Sequence, residues 1–243
     1  VELTEVEIAE ALTAAKSKKA LVLEHEQRAE RSRQKNKILF EPFTPKTLVQ
    51  FCSDFFIERY GKEFDIHENN RKLVEWLALY FTGNPEFERG GFSLQKGILL
   101  MGNVGRGKTA LMQFFQKNKK GCYAVKSCAD IADDYGVYKG EIAQVYSSLI
   151  EKAVNDQAFF FQRHIGYCFD DLGTEEIKND FGNKKNVMAD ILMAIYNKKQ
   201  YANFHITTNL SAEEIEQRYG SRIRSRLREM FNTFELPGVD MRK

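Results

Sequence analysis

Apolar positions along the chain follow two rhythms. Between residues 45 and 82 they recur every three or four positions. Leu48, Phe51, Cys52, Phe55, Phe56 and Tyr60 form one such stripe, with Thr44 placed to cap it, Pro45 at the first helical position and Gly61 to stop it. Leu73, Trp76, Leu77, Tyr80 and Phe81 form a second, from about 68 to 82, ended by Gly83-Asn84-Pro85. Both read as helices with aromatic, core-facing sides. After Phe92 the rhythm changes. Gly97-Ile98-Leu99-Leu100-Met101 is a short unbroken apolar run, suited to a strand buried on both faces. Similar runs follow at 122–125, 166–169, 204–207 and 233–236. Helical patterns separate them at 108–118, 139–154, 186–200 and 211–229, the last opened by a Ser211-Ala212-Glu213-Glu214 capping box. Strands alternating with helices predict an α/β domain with a five-stranded parallel sheet flanked by helices.

The first 40 residues have a different texture. Residues 2–37 are rich in Glu, Lys, Ala, Arg and Gln with sparse leucines, the composition of a long, largely solvated helix or helix pair. Lys16 to Lys37 carries eight basic residues against three Glu, which fits either a solvated helix or a basic arm for DNA or a partner protein. Over the whole chain 36 Lys and Arg offset 34 Asp and Glu, so net charge gives no nucleic-acid signal and any such role must be local. No apolar run is long enough for a membrane helix, and the first residues lack an apolar signal-peptide core; a cytoplasmic protein is expected. Cys52, Cys122, Cys128 and Cys168 have no zinc-ligand spacing and read as buried thiols.

Chemistry concentrates at the strand ends. Gly102-Asn103-Val104-Gly105-Arg106-Gly107-Lys108-Thr109 meets the GxxxxGK[ST] pattern between a predicted strand and a predicted helix. Such a loop wraps its amides around phosphate, with the helix N-terminus adding its positive dipole end. Lys108 would reach the β- and γ-phosphates of ATP, and Thr109 would ligate Mg²⁺. The run 166–169 leads into Asp170-Asp171. Asp170 is expected to hold the Mg²⁺, and Asp171 to orient or deprotonate the attacking water. Asn209, after the run 204–207, is placed to position the same water. Arg222, Arg224, Arg226 and Arg228 alternate along the final helix; Arg222 and Arg226 share one face, which either reaches a neighbouring subunit's γ-phosphate or is a solvated basic face. Lys126, Tyr135, Tyr138 and Lys139 mix cations and aromatics as a DNA path would, or are ordinary core tyrosines and surface lysines.

Together GNVGRGKT, FDDLGTE, ITTNL and YGSRIRSRL resemble the AAA+ ATPases, specifically the DnaC/IstB-like group of helicase loaders and transposition helpers, over roughly residues 66–243. The resemblance implies that Asn209 is sensor 1, Arg226 the arginine finger and Arg222 its supporter. Glu175 matches an acidic residue that follows Asp-Asp-Leu-Gly in this group. Only seven residues follow Leu236, so little or no C-terminal lid is expected, with Arg242 matching the group's terminal arginine. The implied organisation is a helical partner-binding region over 1–60 and an AAA+ ATPase domain over 61–243. The implied function is an ATP-dependent accessory protein of DNA replication, resembling a helicase loader. It would bind ATP and Mg²⁺, assemble as a homo-oligomer, engage single-stranded DNA, and meet a replicative helicase or another protein through its N-terminal helices. An IstB-like transposition helper on duplex DNA, or a nucleotide-gated adaptor with little hydrolysis, is the alternative.

Overall fold

The helix at Pro45–Tyr60 (α1) begins where Thr44 accepts a hydrogen bond from the Thr47 amide, and ends at Gly61, whose φ of 67° suits a residue without Cβ. It is the first element of the larger of two units, Val1–Phe43 and Thr44–Lys243, in this computed structural model. The structure describes residues 43–118, 120–151, 164–180 and 182–236, together with Lys16, Lys19, Ala20, Leu23 and Glu26, which are helical and exposed. The remainder of the basic N-terminal stretch, and Arg242, lie outside the described residues. The unit boundary falls at 43/44 rather than at 60/61. The reason is burial: α1 places Leu48, Cys52, Phe55 and Phe56 inside the larger unit's core.

The elements then run in order: α2 (Glu68–Phe81), α3 (Glu86–Arg89), β1 (Gly97–Met101), α4 (Lys108–Phe115), β2 (Tyr123–Ser127), α5 (Cys128–Asp133), α6 (Tyr135–Tyr138), α7 (Ile142–Tyr146), β3 (Ile150–Glu151), β4 (His164–Leu172), β5 (Lys178–Asp180), β6 (Asn183–Lys185), α8 (Val187–Lys198), β7 (Phe204–Thr208), α9 (Ala212–Met230) and β8 (Phe231–Glu235). The five expected strands pair in parallel in the order β2-β4-β7-β1-β8, and the two-residue β3 adds an antiparallel edge to β4. The fold is thus a mostly parallel α/β sheet flanked by helices, with β1 and β4 separated by β7.

Alternate strand residues feed two cores. On one side Phe81 lies 5.2 Å from Phe115 and 5.7 Å from Tyr123, whose ring is 4.6 Å from that of His205. These join α2 and α4 to the sheet. On the other side Tyr167, Phe169, Phe204 and Ile206 pack with Ile191 and Leu192 of α8 and with Ile215, Ile223 and Leu227 of α9. Two expected helices are shorter than their patterns. The stretch 108–118 leaves the helix after Phe115, where Asn118 donates to the Phe115 and Gly121 carbonyls and accepts from the amides of Lys120 and Gly121. The stretch 139–154 is not one helix: Lys139 has a φ of 43°, and a 3₁₀ turn, α7 and β3 follow it. The capping box at Ser211 is present, with the Ser211 hydroxyl and the Glu214 carboxylate each accepting the other's amide. Gly220, at φ 86° and ψ 160°, breaks α9 into two segments.

Candidate functional site

The loop between β1 and α4 sits at the carboxyl edge of the sheet. Gly105 and Gly107 both have φ near 81°, a backbone that L side chains rarely adopt, so these two turns need glycine. Gly107 then caps α4 with its own backbone, and the helix starts at Lys108. Lys108 is only 5% exposed. Its ammonium donates to the carbonyls of Gly102 at 2.8 Å and Asn103 at 3.0 Å, and to the Asn209 side-chain oxygen at 2.5 Å. The cation therefore lies inside the loop. Val104 stands at the loop's outer surface, and the Arg106 guanidinium reaches across to the Leu236 carbonyl at 3.0 Å, tying the loop to the end of β8.

Thr109, on the first turn of α4, donates to Asp170 at 2.9 Å to either carboxylate oxygen. Thr207 of β7 donates to the same carboxylate at 2.6 Å and accepts the Asp171 amide at 2.9 Å. Burial pushes the Asp170 carboxyl above its ordinary value; the hydrogen bonds from Thr207 and Thr109 and the charge of Lys108 oppose that push, while Asp171 adds to it. Asp171 has a φ of 54°, unusual for a residue with a Cβ, and the pairing register between β4 and β7 shifts at this point. That turn aims the two carboxylates apart. Asn209 donates to Asp171 at 3.4 Å while accepting from Lys108, so its amide spans the loop lysine and the second carboxylate.

Five of the expected residues are therefore brought together from three elements: Lys108, Thr109, Asp170, Asp171 and Asn209. Thr207 was not singled out in the sequence. Its strand, Phe204-His205-Ile206-Thr207-Thr208, holds three polar residues, all 0% exposed, and the sequence does not mark which of them faces the site. The donor set fits the implied groups. A threonine hydroxyl against a carboxylate offers hard oxygens, and Mg²⁺ bound to nucleotide takes one or two protein ligands, with phosphate and water completing the shell. Among the described residues there is no cluster of three His, Cys, Asp or Glu side chains that could hold a metal ion. A cavity of about 190 Å³ opens beside the loop against Gly107, Ala110 and Leu111, with Phe56, Phe64 and Asn70 on its far wall. Lys62, Glu63, Asp65, Arg106 and Leu236 complete the lining of this slot. Its far wall comes from α1, α2 and their connection, which carry no motif.

The arginines are arranged differently. Arg226 stacks on the Tyr196 ring at 3.8 Å, donates to that tyrosine's hydroxyl, and lies 3.7 Å from Glu229. Arg224 pairs with Glu213 and Glu216, and Arg222 and Arg228 are exposed. Of the aromatic-basic group, Tyr135 is a core residue, 9% exposed, while Tyr138, Lys126 and Lys139 face outwards. Glu175 is buried at 2% exposure. No helix among the described residues is long and apolar enough to cross a membrane.

The fold and this site define a P-loop α/β module. No family model matches the chain, and no curated protein matches it. Among solved structures it is similar to the DnaC helicase loader, at 17% identity over 72% of this chain and 93% of that one, with a TM-score of 0.47. It is also similar to DnaI, at 14% identity over 82% of this chain and 95% of that one, TM-score 0.46. AMPPCP-bound DnaA from Aquifex aeolicus is 17% identical over 71% of this chain and 48% of that one, TM-score 0.44.

Proposed function

We propose that this chain is an ATPase of DNA replication, working as a helicase-loader-like accessory protein in the cytoplasm. The observation that carries the reading is the convergence of Lys108, Thr109, Asp170, Asp171 and Asn209 at the carboxyl ends of β1, β4 and β7. The glycine turns and the α4 N-terminus hold the phosphates of ATP, and Lys108 exchanges its carbonyl partners for phosphate oxygens. Thr109 and Asp170 hold Mg²⁺, whose charge, when bound, offsets that of the phosphates. Asp171, with Asn209, orients a water for attack. The slot beside Gly107 takes the base. Arg226, supported by Arg222, is supplied to a neighbouring copy's site, so the chain works as a homo-oligomer. The N-terminal helical region binds a replicative helicase or another protein, and the oligomer engages single-stranded DNA. The choice of loader over other ATPases rests on the resemblance of FDDLGTE, ITTNL and YGSRIRSRL to the DnaC-like group.

Two measurements test this. Titration with a fluorescent ATP analogue and Mg²⁺ should give saturable binding that Lys108→Ala removes; equal binding by the variant overturns the site. ATP hydrolysis is then followed with single-stranded and with duplex DNA. Stimulation by single strands supports the loader reading, whereas preference for duplex favours a transposition helper and no hydrolysis favours an adaptor.

A further inference from the structure

The two aspartates of the site are followed by a tight turn whose end is locked to α9. Glu175 closes that turn, and its side chain is 1% exposed. One carboxylate oxygen accepts the Gly173 amide at 2.9 Å. The other accepts from the Tyr219 hydroxyl and from the Arg218 Nε at 3.4 Å, and the Arg218 guanidinium also donates to the Glu175 carbonyl. Arg218 and Tyr219 are the last two residues of the first segment of α9; Gly220 follows, and beyond it come Arg222, Arg224 and Arg226. The same turn is held on its other side: Thr174 donates to the Asp171 carbonyl at 2.8 Å, and Gly173 packs directly under Leu210, the residue after Asn209.

From this arrangement we infer that Glu175 is a positioning residue for hydrolysis. It clasps the Asp171 turn to Arg218 and Tyr219, and so fixes the second carboxylate and the arginine-bearing half of α9 with respect to each other. This rests on the nucleotide reading above. First, a left-handed backbone at Asp171 is unfavourable for an L residue and persists only when its surroundings over-determine it. The clasp is one of the contacts that do so. Second, a buried carboxylate with a guanidinium, a phenol and an amide around it has a single well-defined geometry, since any other arrangement leaves a desolvated charge unpaired. Gly220 sits one residue past the clasp, where the helix direction changes. A shift of the turn is therefore delivered at the break, at the root of the segment carrying Arg226. Glu175 acts through Asp171 and not on the phosphates themselves.

The test is steady-state ATP hydrolysis, in parallel with nucleotide affinity, by the full chain and by Glu175→Gln, Arg218→Gln and the double variant. Glu175→Gln keeps the size of the side chain and removes the charge that pairs Arg218. Misplacing a reacting group by about 1 Å can cost as much as 100-fold in rate; a turn loosened at one contact should lose roughly tenfold in kcat, with ATP affinity within about twofold of wild type. The double variant should be no slower than the slower single variant, because both changes open one clasp, and Arg218→Lys should recover part of the rate. A wild-type kcat in Glu175→Gln, or a loss confined to ATP affinity, overturns the inference. If Glu175→Gln fails to fold, Arg218→Gln at the 28%-exposed partner carries the same comparison. A wild-type chain that binds no ATP overturns the nucleotide reading itself, and that arm is read before any variant.

Discussion

The Lys108 ammonium and the Asn209 side-chain oxygen lie 2.5 Å apart, although 101 residues separate them in the chain. The same Asn209 amide turns its nitrogen to Asp171. One side chain thus reads both ends of the site. On the proposed function, Lys108 would release Asn209 on moving to a phosphate, and the Asn209 amide would then meet a water or a phosphate oxygen beside Asp171.

Asn209→Ala should accordingly separate binding from turnover. It removes an acceptor from Lys108, which still has the Gly102 and Asn103 carbonyls, so ATP affinity should change less than about threefold. Hydrolysis should fall by roughly 100-fold, the order seen when one well-placed polar partner is removed from a reaction centre. Equal losses in affinity and rate would assign Asn209 to the structure of the loop alone.

Thr207→Val tests a residue that lies within ITTNL but was given no role from the sequence. The Thr207 hydroxyl serves Asp170 as donor and the Asp171 amide as acceptor. Valine keeps the shape and leaves both groups short of a partner. Losing the bond to the charged Asp170 carboxylate costs about 1.5–3 kcal/mol and losing the neutral Asp171 amide bond about 1 kcal/mol, so stability to urea should fall by about 3 kcal/mol. Mg²⁺-dependent nucleotide binding should weaken, because the remaining Thr109 contact alone orients Asp170. A variant with wild-type stability and Mg²⁺ dependence would remove Thr207 from the site.

Much of this site was readable because its pieces are local. GNVGRGKT carries its whole geometry within eight residues between a strand and a helix, and Asp170-Asp171 ends an unbroken apolar run. The cavity beside Gly107 was not readable: Phe56, Phe64 and Asn70 reach it only through packing of α1 and α2. The β5–β6 hairpin is polar on both faces, and its strands are three residues each, too short for a period to register. The break in α9 was equally hidden, since a single glycine within a helical pattern usually stays helical at a cost of about 1 kcal/mol. Glu175 was visible as an acidic residue after Asp-Asp-Leu-Gly, but its partners Arg218 and Tyr219 lie more than 40 residues on.

Stability should rise with pH in two separable windows. His205 is fully buried, its Nδ1 accepting from the Ile98 amide, and burial, reinforced by Lys120, pulls its pKa well below the ordinary 6.5. The unfolded chain therefore takes up a proton near 6.5 that the folded chain refuses, and stability is lost as pH falls below that value. Lys120 sits 3.5 Å above the Tyr80 ring and donates to the Leu94 carbonyl; burial lowers it from 10.5 to about 7, against the opposing charge of Glu88. Here the unfolded chain binds the extra proton between about 7 and 10.5, so stability climbs across that range. Urea midpoints from pH 5 to 9.5 check both. His205→Asn, which keeps an acceptor for Ile98, should flatten the acid limb only, and Lys120→Met the alkaline limb only. Unaltered slopes in both variants would place the titration elsewhere.

Arg226 is expected to act on a neighbouring copy. Within its own chain it is occupied by the Tyr196 ring and hydroxyl and by Glu229, at the surface of α8 and α9. A guanidinium held over an aromatic ring is pre-ordered yet only part-buried, and it can exchange a screened carboxylate for a phosphate across an interface. An arginine supplied in trans raises phosphoryl-transfer rates by about 10³–10⁵. Arg226→Ala should leave ATP affinity near wild type, cut hydrolysis by a factor in that range, and weaken ATP-dependent assembly. Arg222→Ala, at an exposed site on the same face, should do the same to a smaller degree. Mixing decides the geometry. An Arg226→Ala chain keeps an intact phosphate loop, and a Lys108→Ala chain keeps an intact arginine. Co-assembled, they form some interfaces with both, and part of the activity that each lacks should return. Mixtures that demonstrably co-assemble and stay inactive would assign Arg226 to its own chain, as the partner of Tyr196.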